Sequence, residues 1–237
     1  MDIRGLTKFS LVDFPGKLAC IIFVGRCNFR CPYCHNPYLV IYHESQPKIT
    51  EDEIFDFLRQ RKGKLDGVVI SGGEPSLYYE TAEFAKKVKS MGFSVKLDTN
   101  GSHPERIIDM CKHGLVDMLG IDYKAPTYAY NTITSCEIKD LPERIHTLIR
   151  YVVKSNIPCD IRTTVHQKFH SPETLKNMRM ELDELGVNEW HLQQFHSTEI
   201  IDESLLAEST YSDRELKKIA SEIGGNTKVR GVLNIDS

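Results

Sequence analysis

The sequence predicts an α/β fold, a partial (β/α)6 barrel of the TIM-like type. Segments typical of strands alternate with segments typical of helices, and the strand–helix unit occurs six times. Such an alternation produces a parallel sheet with right-handed crossover connections. Six units are too few for a closed eight-fold barrel, so an open, partial barrel is the simplest fit. A doubly wound open sheet is the structural alternative that the pattern leaves open.

The predicted strands are short apolar runs, which are typical of strands buried on both faces of a sheet. The first is Leu18–Val24, an uninterrupted apolar run. The others are Gly67–Ser71, Phe93–Asp98, Met118–Tyr123, Cys159–Val165 and Glu189–Phe195, with Lys228–Leu233 as a candidate final strand.

The predicted helices are delimited by capping residues. Thr50 with Glu53 three residues later has the arrangement of a capping box, and Ser171 precedes a proline at the first helical position. The predicted helices cover approximately residues 51–61, 79–91, 104–114, 141–154, 172–185 and 212–223.

Composition and charge restrict the classes of function. A chain of 237 residues with 41% hydrophobic content fits one large domain, with its core at about residues 16–196 and a further helix and strand in 197–237. The net charge of −3, with scattered Lys and Arg, argues against a nucleic-acid partner. Residues 1–10 lack the apolar segment of a secretory signal, and the longest apolar run is too short to span a membrane, so we expect no membrane association.

Three cysteines, Cys27, Cys31 and Cys34, follow the first predicted strand with the spacing C-x3-C-x2-C. Thiolates are the ligands that iron–sulfur clusters and zinc prefer. Three thiolates hold three corners of a [4Fe–4S] cluster and leave the fourth iron open for chemistry. The alternatives are a structural zinc site, for which His35 lies too close to Cys34, and a disulfide, which leaves one cysteine over.

The other four cysteines, Cys20, Cys111, Cys136 and Cys159, lie singly in apolar or mixed segments. We therefore expect each of them to be a small buried hydrophobic residue, and we expect no second cluster. An odd number of cysteines clustered at one place suits a reducing compartment better than a disulfide framework, so the predicted location is cytoplasmic.

Polar residues fall where the later predicted strands end. Because the carboxyl ends of parallel strands meet at one edge of a sheet or barrel, these residues are candidates for a common site. The candidates are Gly72, Gly73, Glu74, Pro75, Asp98, Thr99, Asn100, Asp122, Lys124, Arg162 and His196. Each has an ordinary structural explanation, such as a turn at the two glycines or a helix cap at Asp98, but their coincidence at one edge indicates a site.

The cysteine segment, with the aromatic Tyr33 just before the last cysteine, resembles the signature of radical S-adenosylmethionine enzymes. The longer run Cys31-Pro32-Tyr33-Cys34-His35-Asn36-Pro37 is similar to that of activating enzymes, which install a glycyl radical on a partner enzyme. It is most similar to activators of anaerobic ribonucleoside-triphosphate reductase, with pyruvate formate-lyase activators as relatives. The resemblance extends from about Thr7 to His196 and implies the partial barrel of the radical S-adenosylmethionine type.

The resemblance also implies the cofactors and the residues that bind them, a [4Fe–4S] cluster at the three cysteines and S-adenosylmethionine. Gly72-Gly73-Glu74-Pro75 matches the family motif that contacts the methionyl amine, and Lys124 offers a positive charge to the carboxylate. Arg162 and His196 match positions that line the cofactor. Tyr33 is expected to pack near the adenine or to shield the cluster from water.

Two further matches concern the acidic residues. The run Asp98-Thr99-Asn100-Gly101 and the residue Asp122 match positions beside the methionyl carboxylate, so Asp98, Asn100 and Asp122 are candidates for cofactor binding. In pyruvate formate-lyase activators the matching positions hold a monovalent cation, for which Asp98, Thr99 and Asp122 are the candidate ligands here. Arg26 departs from the pattern, because relatives usually have glycine there, and the sequence assigns it no role.

The implied reaction is reductive cleavage of S-adenosylmethionine, followed by removal of a hydrogen atom from a glycine Cα of a partner glycyl radical enzyme. A flavodoxin- or ferredoxin-type protein is the expected electron donor. One alternative keeps the cofactors but acts on a small molecule, for example a deazapurine precursor in a nucleoside pathway. A more distant alternative is an iron–sulfur or zinc module without enzymatic activity.

Overall fold

The computed structural model describes residues 1–196 and 199–231, with the backbone alone at His43. The described strands are β1 (Ile3–Ser10), β2 (Ala19–Val24), β3 (Gly67–Gly72), β4 (Ser94–Thr99), β5 (Met118–Asp122), β6 (Cys159–Val165), β7 (Trp190–Gln194) and β8 (Thr227–Arg230). The described α-helices are α1 (Pro37–Val40), α2 (Glu51–Arg61), α3 (Glu80–Ser90), α4 (Pro104–Lys112), α5 (Tyr130–Thr134), α6 (Leu141–Ser155), α7 (Pro172–Glu184) and α8 (Asp213–Ile223).

The strands form a mostly parallel, eight-stranded sheet in which the strand order follows the chain order from β1 to β8. β1 pairs with β2 in antiparallel orientation, whereas β2, β3 and β4 are parallel, as are β6, β7 and β8. Each of the strands β2 to β7 is followed by at least one helix before the next strand begins. The predicted α/β class with six strand–helix units is therefore confirmed.

The predicted helix caps at Thr50 and Ser171 are confirmed. The backbone N–H of Glu53 donates to Oγ1 of Thr50 at 3.2 Å, and the Glu53 carboxylate accepts from the Thr50 N–H at 2.7 Å, which completes the capping box of α2. Ser171 caps α7 by accepting from the N–H of Thr174 at 3.1 Å. These caps satisfy backbone donors that the first helical turn leaves without a partner.

The strand β1 was not predicted, because it is not an apolar run: only its two end residues are buried, and those between them are half-buried or exposed. The candidate final strand is present as β8, which ends at Arg230; residues 232 and 233 of that prediction lie outside the described residues.

The chain forms two compact units. The first comprises Met1–Asn28, Asn36–Gly120 and Ile157–Cys159. Its centre is the sheet from β2 to β4, where Ile22, Ile70 and Leu97 are completely buried. Phe14, in the loop between β1 and β2, packs with Ile21 and neighbouring apolar residues, so this loop contributes to the core.

The second unit comprises Phe29–His35, Ile121–Asn156 and the chain from Asp160 onward. Apolar residues of α6 and α7, such as Leu148 and Met178, are completely buried here. Trp190 at the start of β7 is also buried, and its indole N–H donates to Oγ1 of Thr163 at 3.0 Å. Every described helix is too short or too polar to serve as a membrane-spanning segment.

In the described part of the chain all seven cysteines are thiols rather than disulfides. Cys20 and Cys136 are buried as predicted. The prediction was wrong for Cys111 and Cys159, which are only half-buried. Each lies near an end of its element, Cys111 in the last turn of α4 and Cys159 at the first position of β6, where the surroundings cover less of the side chain.

Candidate functional site

The loop after β2 carries Arg26 in an unusual backbone conformation. Its φ angle is +61°, in the left-handed region that disfavours residues with a side chain. The Arg26 N–H donates to the carbonyl of Leu39 at 2.8 Å, and the Arg26 carbonyl accepts from the N–H of Glu74 at 2.8 Å. The backbone of this position is therefore held from both sides, and a glycine would adopt the same conformation with less strain.

Gly72 and Gly73, at the end of β3, are required by close approach of two backbones. A Cβ atom on Gly72, whose φ is +113°, would lie 2.5 Å from backbone atoms of Val24. A Cβ atom on Gly73 would lie 1.8 Å from the carbonyl oxygen of Arg26. Packing against the end of β2 explains Gly72, and packing against the loop after β2 explains Gly73; their predicted contact with a methionyl amine stays a prediction.

Glu74 links the end of β3 to the end of β4. Its side chain is completely buried, and its carboxylate accepts from Thr99 Oγ1 at 2.8 Å and from the Asn100 N–H at 2.7 Å. It also accepts from the N–H of Ser76 at 2.9 Å, at the start of the 3₁₀ helix that Pro75 begins. Burial raises the pKa of Glu74, and these hydrogen bonds oppose the rise. Both carboxylate oxygens have protein partners, so Glu74 acts by holding Thr99 and Asn100 in place.

Asp98 on β4 forms a buried ion pair with Lys96. The Lys96 ammonium lies 2.5 Å from Oδ1 of Asp98, with the lysine side chain 1% exposed and the aspartate side chain 8% exposed. Ser71 Oγ donates to Oδ2 of the same carboxylate at 3.2 Å. A monovalent cation at Asp98 would therefore compete with the ammonium of Lys96. Lys96 was not predicted as a site residue, although residues two apart on a strand point to the same face.

Asn100 contacts the first cysteine of the motif. Its Nδ2 lies 3.8 Å from Sγ of Cys27 and donates to Oδ1 of Asn28 at 2.9 Å. Its Oδ1 accepts from the N–H of Ser102 at 3.0 Å, and Asn28 in turn donates to Oγ of Ser102 at 2.9 Å. Asn28 was missed as a site residue, and the signal that could have identified it is its position next to Cys27.

In the second unit, Cys31 and Cys34 lie in one turn, with the Cys34 N–H donating to the Cys31 carbonyl at 3.0 Å. Burial raises the pKa of the Cys31 thiol to about 12, and the positive charge of Lys124 opposes that rise. The ring of Tyr33 is buried and packs against Phe169, with 5.4 Å between ring centroids. The Tyr33 hydroxyl donates to the carbonyl of Lys124 at 3.3 Å, so this side chain is a packing element of the unit.

Asp122, Lys124 and Arg162, which were all predicted, come together in the second unit. The Nε of Arg162 donates to Oδ1 of Asp122 at 2.6 Å, and Nζ of Lys124 lies 3.3 Å from Oδ2. Burial alone would raise the pKa of Asp122, but Arg162 and then Lys124 hold it well below the ordinary range. Two protein cations thus already neutralise this carboxylate, and a monovalent cation would compete with them as well.

Two residues that were not predicted as site residues hold the backbone of Lys124. The hydroxyl of Tyr130 accepts from the Lys124 N–H at 3.0 Å and donates to the carbonyl of Asp122 at 3.2 Å. The Nε2 of His170 lies 2.9 Å from the Lys124 carbonyl oxygen. Burial lowers the pKa of His170 to about 4, so its ring is neutral at pH 7 and Nε2 is the donor. No pattern in the sequence marked either residue.

His196, a predicted cofactor-binding residue, is exposed, and its Nε2 lies 2.9 Å from the carbonyl oxygen of Gly231.

Arg230 on β8 was not predicted as a site residue. It donates to Asp160 at 2.7 Å, and Arg162 lies 3.7 Å from the same carboxylate. Asp160 therefore connects Arg230 on β8 with Arg162 on β6.

The donor set of the cysteine segment fits an iron–sulfur cluster, because all three residues are thiols and soft donors of this kind suit iron and sulfide. Among residues 1–196 and 199–231, no three His, Cys, Asp or Glu side chains come close enough to share a single metal ion. A cluster differs from a single ion in that each thiolate binds its own iron.

The chain is similar in sequence to known proteins. The sequence model of the radical SAM superfamily matches residues 21–178. A protein of Methanocaldococcus jannaschii named "Putative glycyl-radical enzyme activating enzyme" is 33% identical over an alignment of 239 positions, gaps included, which covers 97% of this chain and 96% of that protein. The pyruvate formate-lyase-activating enzyme of Staphylococcus epidermidis is 33% identical over 103 residues, 41% of each chain.

The fold is also similar to solved structures. The crystal structure of Streptococcus suis SuiB bound to S-adenosylmethionine superimposes with a TM-score of 0.64 and covers 89% of this chain. The chain spans 48% of the length of that protein and is 14% identical to it, so the similarity concerns the fold alone.

Proposed function

We propose, from the premise that this chain belongs to the radical SAM superfamily, that it activates a glycyl radical enzyme and that the partner is an anaerobic ribonucleotide reductase. Enzymes of this superfamily use a [4Fe–4S] cluster and S-adenosylmethionine. The observation that carries the proposal is the 33% identity, over 97% of the chain, to a relative named as an activating enzyme. The run from Cys31 to Pro37 supports the choice of the reductase as partner.

In this proposal Cys27, Cys31 and Cys34 bind the cluster. The support is their spacing along eight residues and their thiol chemistry. Cluster assembly requires thiolates, so the buried Cys31 must lose its proton on binding iron. The ammonium of Lys124, which lowers the pKa of that thiol, favours this step.

The cluster and S-adenosylmethionine supply the reaction itself: one electron cleaves the sulfonium to methionine and a 5′-deoxyadenosyl radical, which takes a hydrogen atom from a glycine Cα to give 5′-deoxyadenosine and a glycyl radical. The electron comes from a flavodoxin- or ferredoxin-type protein in the proposal. The chain contributes binding, orientation and exclusion of water.

For S-adenosylmethionine, we propose that Lys124 and Arg162 provide positive charge for the methionyl carboxylate. Both already contact Asp122, so their positions are set before the cofactor binds. The proposed set is completed by Tyr33, Pro75, Asp98, Asp122 and His196 and by the residues of the two glycine-containing turns, Gly72, Gly73, Glu74 and Asn100.

A monovalent cation is also part of the proposal, with Asp98, Thr99 and Asp122 as its ligands. At Asp98 it competes with Lys96, and at Asp122 with Arg162 and Lys124. The cation therefore binds only where it outcompetes these side chains.

Electron paramagnetic resonance (EPR) of the partner tests the function. The chain is reconstituted anaerobically with iron and sulfide, reduced, mixed with S-adenosylmethionine and with a co-produced anaerobic ribonucleotide reductase. We expect a glycyl radical signal on the reductase that requires the cofactor and is lost with Cys31→Ser. A reductase whose target glycine is replaced by alanine is the matched control for the partner.

The competing functions give different results in the same experiment. A signal on a pyruvate formate-lyase-type partner, with none on the reductase, would assign a different glycyl radical enzyme. Cleavage of S-adenosylmethionine without a radical on any glycyl radical enzyme would favour a small-molecule substrate. One zinc ion and no sulfide in the reconstituted protein would contradict both enzymatic functions.

A further inference from the structure

We infer that Asn100 tunes the cluster by donating a hydrogen bond to the sulfur of Cys27, which makes the cluster easier to reduce. The inference rests on the proposed binding of a cluster at Cys27, and it adds a role to a residue that resemblance assigned only to cofactor binding. Asn100 follows β4, and its Nδ2 lies 3.8 Å from Sγ of Cys27, within hydrogen-bonding range of a sulfur acceptor.

The orientation of the Asn100 amide follows from its neighbours. The N–H of Ser102 donates to the amide oxygen of Asn100 at 3.0 Å, so this side of the amide must be the oxygen. The NH₂ group is then the side that faces both Oδ1 of Asn28, at 2.9 Å, and Sγ of Cys27. An NH₂ group has two hydrogens, which is one for each of these acceptors.

The orientation of the neighbouring Asn28 follows from that of Asn100. The side of Asn28 that faces the NH₂ group of Asn100 must be its acceptor Oδ1, and its Nδ2 then donates to Oγ of Ser102 at 2.9 Å. Asn28 therefore accepts one hydrogen from Asn100 and does not compete as a donor to it. The second hydrogen of Asn100 remains directed at the sulfur.

The amide is also prevented from turning away. Asn100 and Ser102 are buried, and the backbone N–H of Asn100 donates to the buried carboxylate of Glu74 at 2.7 Å. Asn100 is thus held at its backbone by Glu74 and at its side chain by Asn28 and Ser102. A donor that is held in this way does not need to be reoriented when the cluster changes its charge.

The consequence for the cluster is electrostatic. Reduction adds one negative charge, part of which resides on the cysteine sulfurs, and an N–H dipole directed at a sulfur stabilises the more negative state. Hydrogen bonds to the sulfurs are one of the factors that set the reduction potentials of iron–sulfur clusters. Removing this donor should therefore make the potential more negative.

The test is a redox titration of the reconstituted full-length protein, followed by the EPR signal of the reduced cluster. Asn100→Ala removes the donor, and Asn100→Asp keeps the size and the oxygen that accepts from Ser102. Ser71→Ala is the matched control, because it removes a hydroxyl that is bonded to Asp98 rather than to Cys27. We expect the equilibrium constant for reduction to fall about tenfold in Asn100→Ala, which is about 59 mV for one electron, and at least as far in Asn100→Asp.

A second measurement uses the wild-type protein alone and so does not depend on the folding of a variant. Electron–nuclear double resonance on the reduced cluster, in H₂O and in D₂O, should detect an exchangeable proton coupled to the cluster. Selective ¹⁵N labelling of asparagine side chains should add a nitrogen coupling. Absence of both couplings in the wild type would overturn the inference.

The remaining outcomes are distinct. A wild-type potential in either Asn100 variant would overturn the inference while leaving the proposed function intact. An equal shift of the reduction potential in Ser71→Ala would also overturn the inference, because the shift would then come from a general loss of packing and not from the loss of one hydrogen bond. Failure of the wild type to assemble any [4Fe–4S] cluster would overturn the proposed function, and the inference with it.

Discussion

Replacing Arg26 with glycine should stabilise the protein relative to replacement with alanine. The φ angle of Arg26 is +61°, and its backbone is fixed by hydrogen bonds to Leu39 and Glu74, so the chain cannot relax to a negative φ without breaking them. A residue with a Cβ atom in the left-handed conformation costs roughly 1–2 kcal/mol. Glycine avoids this cost but loses about 0.5–1 kcal/mol through the greater freedom of the unfolded chain. The net advantage of glycine over alanine is therefore about 1 kcal/mol.

The comparison uses glycine and alanine because the Arg26 side chain is lost in both variants. Whatever the guanidinium contributes to stability then cancels. The measurement is urea unfolding of both variants under identical anaerobic conditions. The comparison requires that the unfolding free energy of both variants falls with urea concentration at the same slope. In thermal unfolding, about 1 kcal/mol corresponds to roughly 2–4 °C for a chain of this length.

The same two substitutions at Glu83, to glycine and to alanine, serve as the control. Glu83 is exposed in the middle of α3, where the backbone is helical and φ is negative. There glycine should be less stable than alanine by about 1 kcal/mol. The same two substitutions should thus have opposite signs at Arg26 and Glu83. If alanine is as stable as glycine at Arg26, the backbone at that position is not strained and the reasoning is refuted.

Three further predictions concern groups that hold the site. Gly73→Ala should abolish stable folding, because its Cβ would lie 1.8 Å from the Arg26 carbonyl oxygen. Gly63→Ala is the control: no atom lies within 4 Å of its Cβ, so it should lower the free energy of unfolding, measured by thermal unfolding, by only about 1 kcal/mol. Lys96→Met should destabilise the protein by about 3–5 kcal/mol, because it removes the ammonium that pairs with the buried Asp98. Potassium should then raise the melting temperature of this variant more than that of the wild type, and equal potassium effects would contradict a cation site there. Tyr130→Phe should destabilise the protein by about 1–3 kcal/mol in urea unfolding, because the Lys124 N–H loses the hydroxyl to which it donates, and the exposed Tyr128→Phe should leave the stability unchanged.

The sequence predicted those features of the fold that have a local physical cause. The helix α2 begins at a capping box, and the strand β2 is an apolar run, so both could be recognised from neighbouring residues alone. The strand β1 has neither signal, because it is partly exposed and pairs with β2 at the end of the strand order. Its formation depends on the antiparallel hydrogen bonds to β2, which the sequence pattern of β1 itself does not contain.

The site shows the same division between local and non-local causes. Asp98 could be identified at a strand end, and its partner Lys96 could have been found from the alternation of side chains along β4. Tyr130 and His170 could not, because they act on Lys124 through its backbone from positions six and 46 residues further along the chain. Hydrogen bonds to a backbone group depend on where the chain passes and leave no residue pattern.

The contacts also change the interpretation of the glycine motif. Gly72, Gly73 and Glu74 were predicted to bind the methionyl amine, yet each has a complete structural explanation in its contacts with Val24, Arg26 and Asn100 respectively. Binding and scaffolding need not exclude one another, because a backbone that cannot move presents its carbonyl groups to a ligand without a cost of ordering. The two roles separate at Glu74: Glu74→Gln keeps the shape but replaces one acceptor oxygen by a donor, which would face either Asn100 or Thr99. If Glu74 acts through these residues, the substitution should displace Asn100 and shift the reduction potential of the cluster bound at Cys27. This shift should be present even where the affinity for S-adenosylmethionine is unchanged.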